Sequence, residues 1–140
     1  MDVLIDTNVI LNFVTGRDDP FRIESQKVME YAVEGYFRGF VAIHSISTIW
    51  YILRKQKSEE ETRKLLDRIT RILTVANISH EAVQRAVHNK KFRDFEDCLQ
   101  DECALAIDAD YLVTCNAKDF CAAKTTTVAP NRFLELLLKT

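Results

Sequence analysis

The chain has 140 residues, 47% hydrophobic and 29% charged, with a formal net charge of -2 and only three Gly and two Pro. That size suits a single domain, 1–140, able to bury roughly two-thirds of its unfolded surface, with little room for linkers or disordered tails. No apolar stretch approaches the roughly 20 residues of a membrane-spanning helix. Asp2 and Asp6 interrupt what would be a leader peptide, so no membrane association and a cytoplasmic location are expected.

The first element is a strand over residues 2–6, where the apolar run Val3-Leu4-Ile5 closes on Asp6. A helix over residues 7–14 follows and ends near Gly16, and the segment Phe21 to Tyr36 carries Ile23, Val28, Ala32 and Val33 at helical spacing. Arg38 to Ile43 reads as a second strand. Ser45 and Ser47 then offer N-caps for a helix carrying Trp50, Tyr51 and Leu53. Residues 59–72 form an amphipathic helix with Leu65, Leu66, Ile69 and Ile72 on one face, and Leu73 to Ile78 a short strand.

Ser79 starts a helix through His88, with Glu81 at the positive end of its dipole; Ala82 stands where a capping box needs Glu or Gln. A loop, Asn89-Lys90-Lys91-Phe92-Arg93, precedes a helix from Asp94 to Asp108. Strands follow at Tyr111 to Cys115 and Thr125 to Val128, and Pro130 suits the first turn of a closing helix, Asn131 to Lys139. Strands separated by helices are the signature of a parallel sheet wrapped on both faces. Cys98, Cys103, Cys115 and Cys121 lack C-x-x-C spacing and a nearby His, and are expected to be reduced, buried small hydrophobes.

Acids stand at three strand-helix junctions: Asp6 after the first strand, Asp94, Glu96 and Asp97 after the basic loop, and Asp119 just beyond Cys115, with Asn116 between. In an open parallel sheet, ligands bind at the carboxyl ends of the strands. Carboxylates brought together there repel one another, and a hard divalent cation with oxygen ligands relieves the conflict and can activate water against a phosphodiester. Each acid also has a structural reading. Asp94 and Asp97 fit an N-cap and a third-position acid, and Asp97, Asp101 and Asp108 fit a solvated helix face. Lys90, Lys91 and Arg93, and likewise Arg54, Lys55 and Lys57, are clusters able to meet phosphates or to be plain solvated surface.

Three segments together resemble the PIN domains, and in particular the bacterial PIN toxins of the VapC type. They are Val3 to Leu11, with its Asp6-Thr7-Asn8; Asp94-Phe95-Glu96-Asp97-Cys98-Leu99-Gln100; and Ala109 to Phe120, with Thr114-Cys115-Asn116-Ala117-Lys118-Asp119. Val128-Ala129-Pro130 followed by Phe133-Leu134 resembles the family's ending. The resemblance implies an α/β three-layer sandwich, a central parallel sheet flanked by helices, and a Mg²⁺- or Mn²⁺-dependent ribonuclease. It implies Asp6, Asp97 and Asp119 as the catalytic, metal-binding acids. Thr7 and Asn8 would orient Asp6, and Asn116 would hold a water or the metal. Lys90, Lys91 and Arg93 are the candidates for RNA phosphates.

One departure stands out. Where the family usually carries a second acid, on the helix after the second strand, this chain has Thr48. Thr offers only a neutral oxygen, which lowers the expected metal affinity and activity. Glu96 is the nearest substitute, although adjacent helix positions point about 100° apart.

The expected function is therefore a metal-dependent endoribonuclease hydrolysing RNA phosphodiester bonds, the toxin of a type II toxin–antitoxin pair. A cognate antitoxin protein would cover its site, and homodimerisation is typical of relatives. The alternative is a catalytically weakened PIN-fold module that binds RNA or a protein partner without cleavage, with Thr48 as its support. A phosphotransfer enzyme with Asp6 as nucleophile ranks last, because Asn8 stands where that chemistry wants a second acid.

Overall fold

The computed structural model describes residues 1–139. The chain runs β1 (Asp2–Ile5), α1 (Thr7–Thr15), α2 (Arg22–Val33), β2 (Arg38–Ala42), α3 (Ile43–Leu53), α4 (Glu59–Ile72), β3 (Thr74–Ala76), α5 (His80–His88), α6 (Phe95–Ala106), β4 (Tyr111–Val113), a 3₁₀ turn (Ala117–Phe120), β5 (Thr127–Val128) and α7 (Pro130–Leu138). The five strands form one parallel sheet in the order β3-β2-β1-β4-β5. β1 sits in the centre, paired Val3 to Gly39 on one side and Val3 to Tyr111 on the other. A central parallel strand is covered on both faces, which is why Val3-Leu4-Ile5 is continuously apolar rather than alternating.

The two faces differ in the bulk they carry. Val3, Ile5, Val41 and Val113 point into a core built with α1, α2, α3, α4 and α7, where Val9, Met29, Ile49, Ile69 and Phe133 are fully buried. Leu4, Ala42, Ala76 and Leu112 point the other way, against Ala86 of α5 and Cys98, Cys103 and Ala104 of α6. Short side chains on both partners let α6 lie close to the sheet, bringing its first turn to the end of β1. The fold is the three-layer α/β sandwich expected from the sequence.

Most boundaries follow local chemistry. Gly16, at φ 60°, closes α1 with its N–H on the Asn12 carbonyl, a left-handed position that glycine fills without strain. A capping box joins Ser58 to Glu61 at the start of α4, and the Ser79 hydroxyl accepts from Ala82 N–H at the start of α5.

Three expectations are corrected. Ser45 and Ser47 are not N-caps: β2 passes directly into α3, whose cap position is Ala42 without a side-chain bond, and Ser45 is fully buried one turn on. Asp101 is not on a solvated face. It is buried, and its two oxygens accept from Lys124 and Thr125 N–H at 3.0 Å each, anchoring the segment that leads into β5. Cys98 and Cys103 are buried, but Cys115 is half-buried and Cys121 exposed beyond the surface 3₁₀ turn; all four are free thiols. Glu102, in the apolar arc of α6, is paired with Arg85 at 3.2 Å.

The Asp101 contacts are charge-assisted bonds in a buried place. Asp101→Ala leaves two backbone N–H groups without acceptors and is expected to cost about 2–4 kcal/mol. Urea unfolding should show a lower midpoint with an unchanged slope.

Candidate active site

Asp6 is the first residue past the central strand, and its backbone N–H continues the ladder to the Val113 carbonyl at 2.9 Å. Its carboxylate is buried, and each oxygen accepts one hydrogen bond from the protein. Oδ1 accepts from Thr7 N–H at 2.7 Å, as a helix cap, and Oδ2 accepts from the Thr114 hydroxyl at 2.7 Å. Thr114 in turn accepts from Asn8 Nδ2 at 3.4 Å and from Asn116 N–H at 3.1 Å, while Asn8 Oδ1 accepts from Cys115 N–H at 3.1 Å. The Asp6-Thr7-Asn8 turn is thereby fastened to the segment leaving β4.

α6 supplies the facing acids. Asp94 caps it, with Oδ1 accepting from Glu96 and Asp97 N–H at 2.8 and 3.2 Å. Asp6, Asp94, Glu96 and Asp97 line one depression of 260 Å³ with Asn8, Asn116 and Arg17. Burial raises the Asp6 carboxyl to about 6 against the opposing pull of the Thr114 and Thr7 bonds, with Glu96 and Asp94 adding repulsion. Asp97 is pushed up to about 7, first by burial and then by the charges of Asp6, Asp94, Asp119 and Glu96. Burial and Asp94 raise Glu96 as well.

The remaining residues singled out from the sequence lie around this centre. Asp119 is exposed and lines a neighbouring depression with Lys91, Arg93 and Lys118, close enough for its charge to act on Asp97. Lys90 is exposed outside that lining. Thr48 is not in the lining of the acidic depression; its hydroxyl donates to the His44 carbonyl at 3.3 Å, one turn back in its own helix.

The sequence reading missed the polar chain behind the acids. The Thr7 hydroxyl donates to Ser45 Oγ at 2.8 Å, and Gln100 Nε2 donates to the same oxygen at 2.7 Å, tying the starts of α1 and α3 to α6. Ser45, Gln100 and Thr114 are fully buried. Thr114 was detectable as a lone hydroxyl closing the apolar pair Leu112-Val113. Arg17 was not signalled at all.

The PIN domain family model matches residues 2–118. The chain belongs to the PIN domain family. Members of this family are generally nucleases and commonly use divalent metals. This PIN domain superposes on a chain of VapBC-1 from nontypeable Haemophilus influenzae with a TM-score of 0.71 at 15% identity, covering 94% of this chain and 99% of that one. It is similar to a chain of Rickettsia felis VapBC2, solved bound to a fragment of promoter DNA, with a TM-score of 0.69, 18% identity and coverage of 92% and 98%. It is also similar to Mycobacterium tuberculosis VapC20, a toxin that cleaves the sarcin-ricin loop, with a TM-score of 0.65, 12% identity and coverage of 90% and 98%. No curated protein sequence matches the chain significantly.

Among the described residues of this PIN domain, no three Asp, Glu, His or Cys side chains form a group able to hold a metal ion by themselves. Mg²⁺ does not require three. It is commonly held by one or two carboxylates and keeps several waters. The donor set fits such an ion: Asp6 and Asp97 face one depression, all-oxygen ligands are at hand, and both acids sit where their negative charges are unfavourable without a cation.

The elevated values fix a sign. Both acids hold their protons more tightly in the folded chain than unfolded, so between about pH 4 and pH 7 the folded state binds more protons. Stability of the metal-free protein therefore falls as pH rises through that window, by on the order of 3 kcal/mol for buried Asp6 alone. Thermal unfolding of the metal-free protein should show a midpoint that declines across it. Asp97→Asn should flatten the decline and raise the midpoint above neutrality.

Proposed function

We propose that this PIN domain is a Mg²⁺- or Mn²⁺-dependent endoribonuclease that hydrolyses RNA phosphodiester bonds and serves as the toxin of a type II toxin–antitoxin pair. The carrying observation is the meeting of Asp6 and Asp97 in one depression at the carboxyl end of a parallel sheet, each with its carboxyl raised toward neutrality. Family membership supports a nuclease. The likeness to VapBC-1 and VapBC2 supports an antitoxin protein as partner.

In this reading Asp6 and Asp97 hold the metal, and Asp119 completes the acidic set from the neighbouring depression. The bound metal would supply a water acidic enough to attack at neutral pH and charge to stabilise the pentacoordinate phosphate. The chain's own residues do the positioning. Thr114 and Thr7 N–H fix both oxygens of Asp6, so the carboxylate presents its remaining lone pairs in one orientation. Asn8 locks the turn that carries it. Asn116 offers an amide at the rim, able to orient a water or a phosphate oxygen. Glu96, half-buried in the same depression, is an acid able to take up a proton from water. Lys91 and Arg93 would meet the phosphate chain, with exposed Lys90 as a further cation of the same loop.

The weakened-module reading rests on Thr48, whose hydroxyl is turned to its own helix backbone rather than to the acids. The two readings part on one pair of experiments. Mn²⁺ titrated calorimetrically should bind saturably to the wild type and not to Asp6→Asn. Metal-dependent cutting of single-stranded RNA should fall at least about 100-fold in Asp6→Asn and Asp97→Asn, the scale of losing one charge-stabilising group. RNA binding without metal-dependent cutting by the wild type would favour the module.

A further inference from the structure

We propose that the RNA strand leaves the acidic depression through the cleft between α1 and the end of α3, where Arg17 grips the phosphate beside the one that is cut. This rests on the ribonuclease reading and adds to it the path of the strand. Leu11 and Arg17 line both the acidic depression and the cleft, so the two are one continuous surface. The cleft is 320 Å³, with Leu11, Val14 and Ile52 as apolar wall and Arg17, Lys55 and Lys57 as cations; no Asp or Glu among the described residues lines it. An extended nucleotide chain matches that pairing, because its bases cover apolar groups while its phosphates seek positive charge.

Arg17 is held ready by neutral partners. Its Nε donates to Asn12 Oδ1 at 2.6 Å and its Nη2 to the Asn8 carbonyl at 3.4 Å. Asn12 is fully buried and anchored through Nδ2 to Asp19 at 3.1 Å and Ser25 at 3.2 Å. Among the described residues, Nη1 makes no hydrogen bond and Arg17 makes no ion pair, although Asp94, Glu96 and Asp97 line the same depression. A guanidinium fixed through Nε and one Nη2 hydrogen keeps its charge and its other N–H groups for a phosphate oxygen pair.

A second positive shoulder lies across the acids. Lys91, Arg93 and Lys118 surround Asp119, beside Phe92 and Phe120 in the core between the sheet and α6. The α1–α3 cleft borders the opposite core, through Leu11 and Leu53. The strand therefore crosses the carboxyl edge of the sheet from one helical layer to the other, held on both sides of the acids. That geometry suits an internal cut rather than trimming from an end.

The test measures binding of a short unstructured RNA by fluorescence anisotropy over a range of salt. The full chain carries Asp97→Asn to prevent cutting. Adding Lys55→Gln with Lys57→Gln should weaken binding about tenfold and make the log–log salt slope shallower by about 1.4, roughly 0.7 per lost phosphate contact. Lys64→Gln with Arg71→Gln, exposed on α4 and outside the linings of the cleft and the acidic depression, should change neither. Arg17→Ala should weaken binding about 10–100-fold, with partial recovery in Arg17→Lys. The Lys55 and Lys57 substitutions are at the surface, so the result does not depend on Arg17→Ala folding. Parental affinity and slope in the Lys55/Lys57 variant, with loss in Lys91→Gln/Arg93→Gln, would overturn the path and leave the ribonuclease reading standing. The path also falls if the Lys55/Lys57 variant keeps RNA binding but loses a protein partner. Absence of RNA binding in the parent and the wild type alike would remove both readings.

Discussion

The structure turns on placing a carboxylate at the end of its most buried strand. β1 is the central strand of the sheet, and everything that covers Val3, Leu4 and Ile5 also crowds Asp6. Desolvation disfavours the charged form, and two hydrogen bonds only partly offset it. Those two bonds come from different elements, one from the start of α1 and one from the residue after β4. The acid is therefore also a joint: it sets how α1 leaves the sheet and where the chain goes after β4. Asn8 and Asn116 are arranged around Thr114 as a consequence of the same joint.

Behind the acids, hydroxyl and amide groups replace the apolar packing that fills the rest of the core. Thr7, Ser45 and Gln100 form a chain that ties the starts of α1 and α3 to the middle of α6. Gln100 lies one turn beyond Asp97 on α6, so the bond that fixes Gln100 also limits how α6 can rotate and how closely Asp97 approaches Asp6. Gln100 Oε1 is buried with no hydrogen-bond partner among the described residues. The bonds that are made fix the arrangement, and the unpaired oxygen is a cost in stability set against them. The small residues Ala42, Ala76, Cys98, Cys103 and Ala104 complete the arrangement from the apolar side by letting α6 sit close to the sheet.

The order of strands and helices was legible because it depends on periodicity and on Gly, Pro and Ser signals read locally. Gly16, Ser79, Asp94 and Pro130 all act at the ends assigned to them. What could not be read depends on partners distant in sequence. Ser45 looks like a cap because serine caps helices, but its partners are Thr7 and Gln100, 38 and 55 residues away. Asp101 looks solvated on a helical wheel, because the wheel does not show the Lys124–Thr125 backbone arriving over it. Of the acids, Asp6 and Asp97 share the depression. Asp119, equally prominent in the sequence, lies within a 3₁₀ turn that holds it at the surface beside Lys91 and Arg93. Its influence on Asp97 is therefore one of charge across a rim, not of shared lining.

The charge distribution explains why bulk composition says so little about the partner. A net charge of -2 conceals an acidic centre bordered by cations on two opposite faces of the sheet. Among the described residues, neither Arg17 nor the lysines at the mouth of the α1–α3 cleft are neutralised by ion pairs, whereas Arg63, Lys64 and Arg71 on α4 are, through Glu59, Glu60 and Asp67. The same residue types thus have different consequences according to their neighbours. On α4 they are a solvated helix face, and beside the acids, in the proposed reading, they would supply a field that draws in a polyanion the centre itself would repel. A divalent cation between Asp6 and Asp97 would offset the charges of those two acids and lower the repulsion that the centre presents to a polyanion. In the proposed reading, occupancy of the acidic depression and grip on the phosphate chain would be coupled through electrostatics, with no movement of the backbone required.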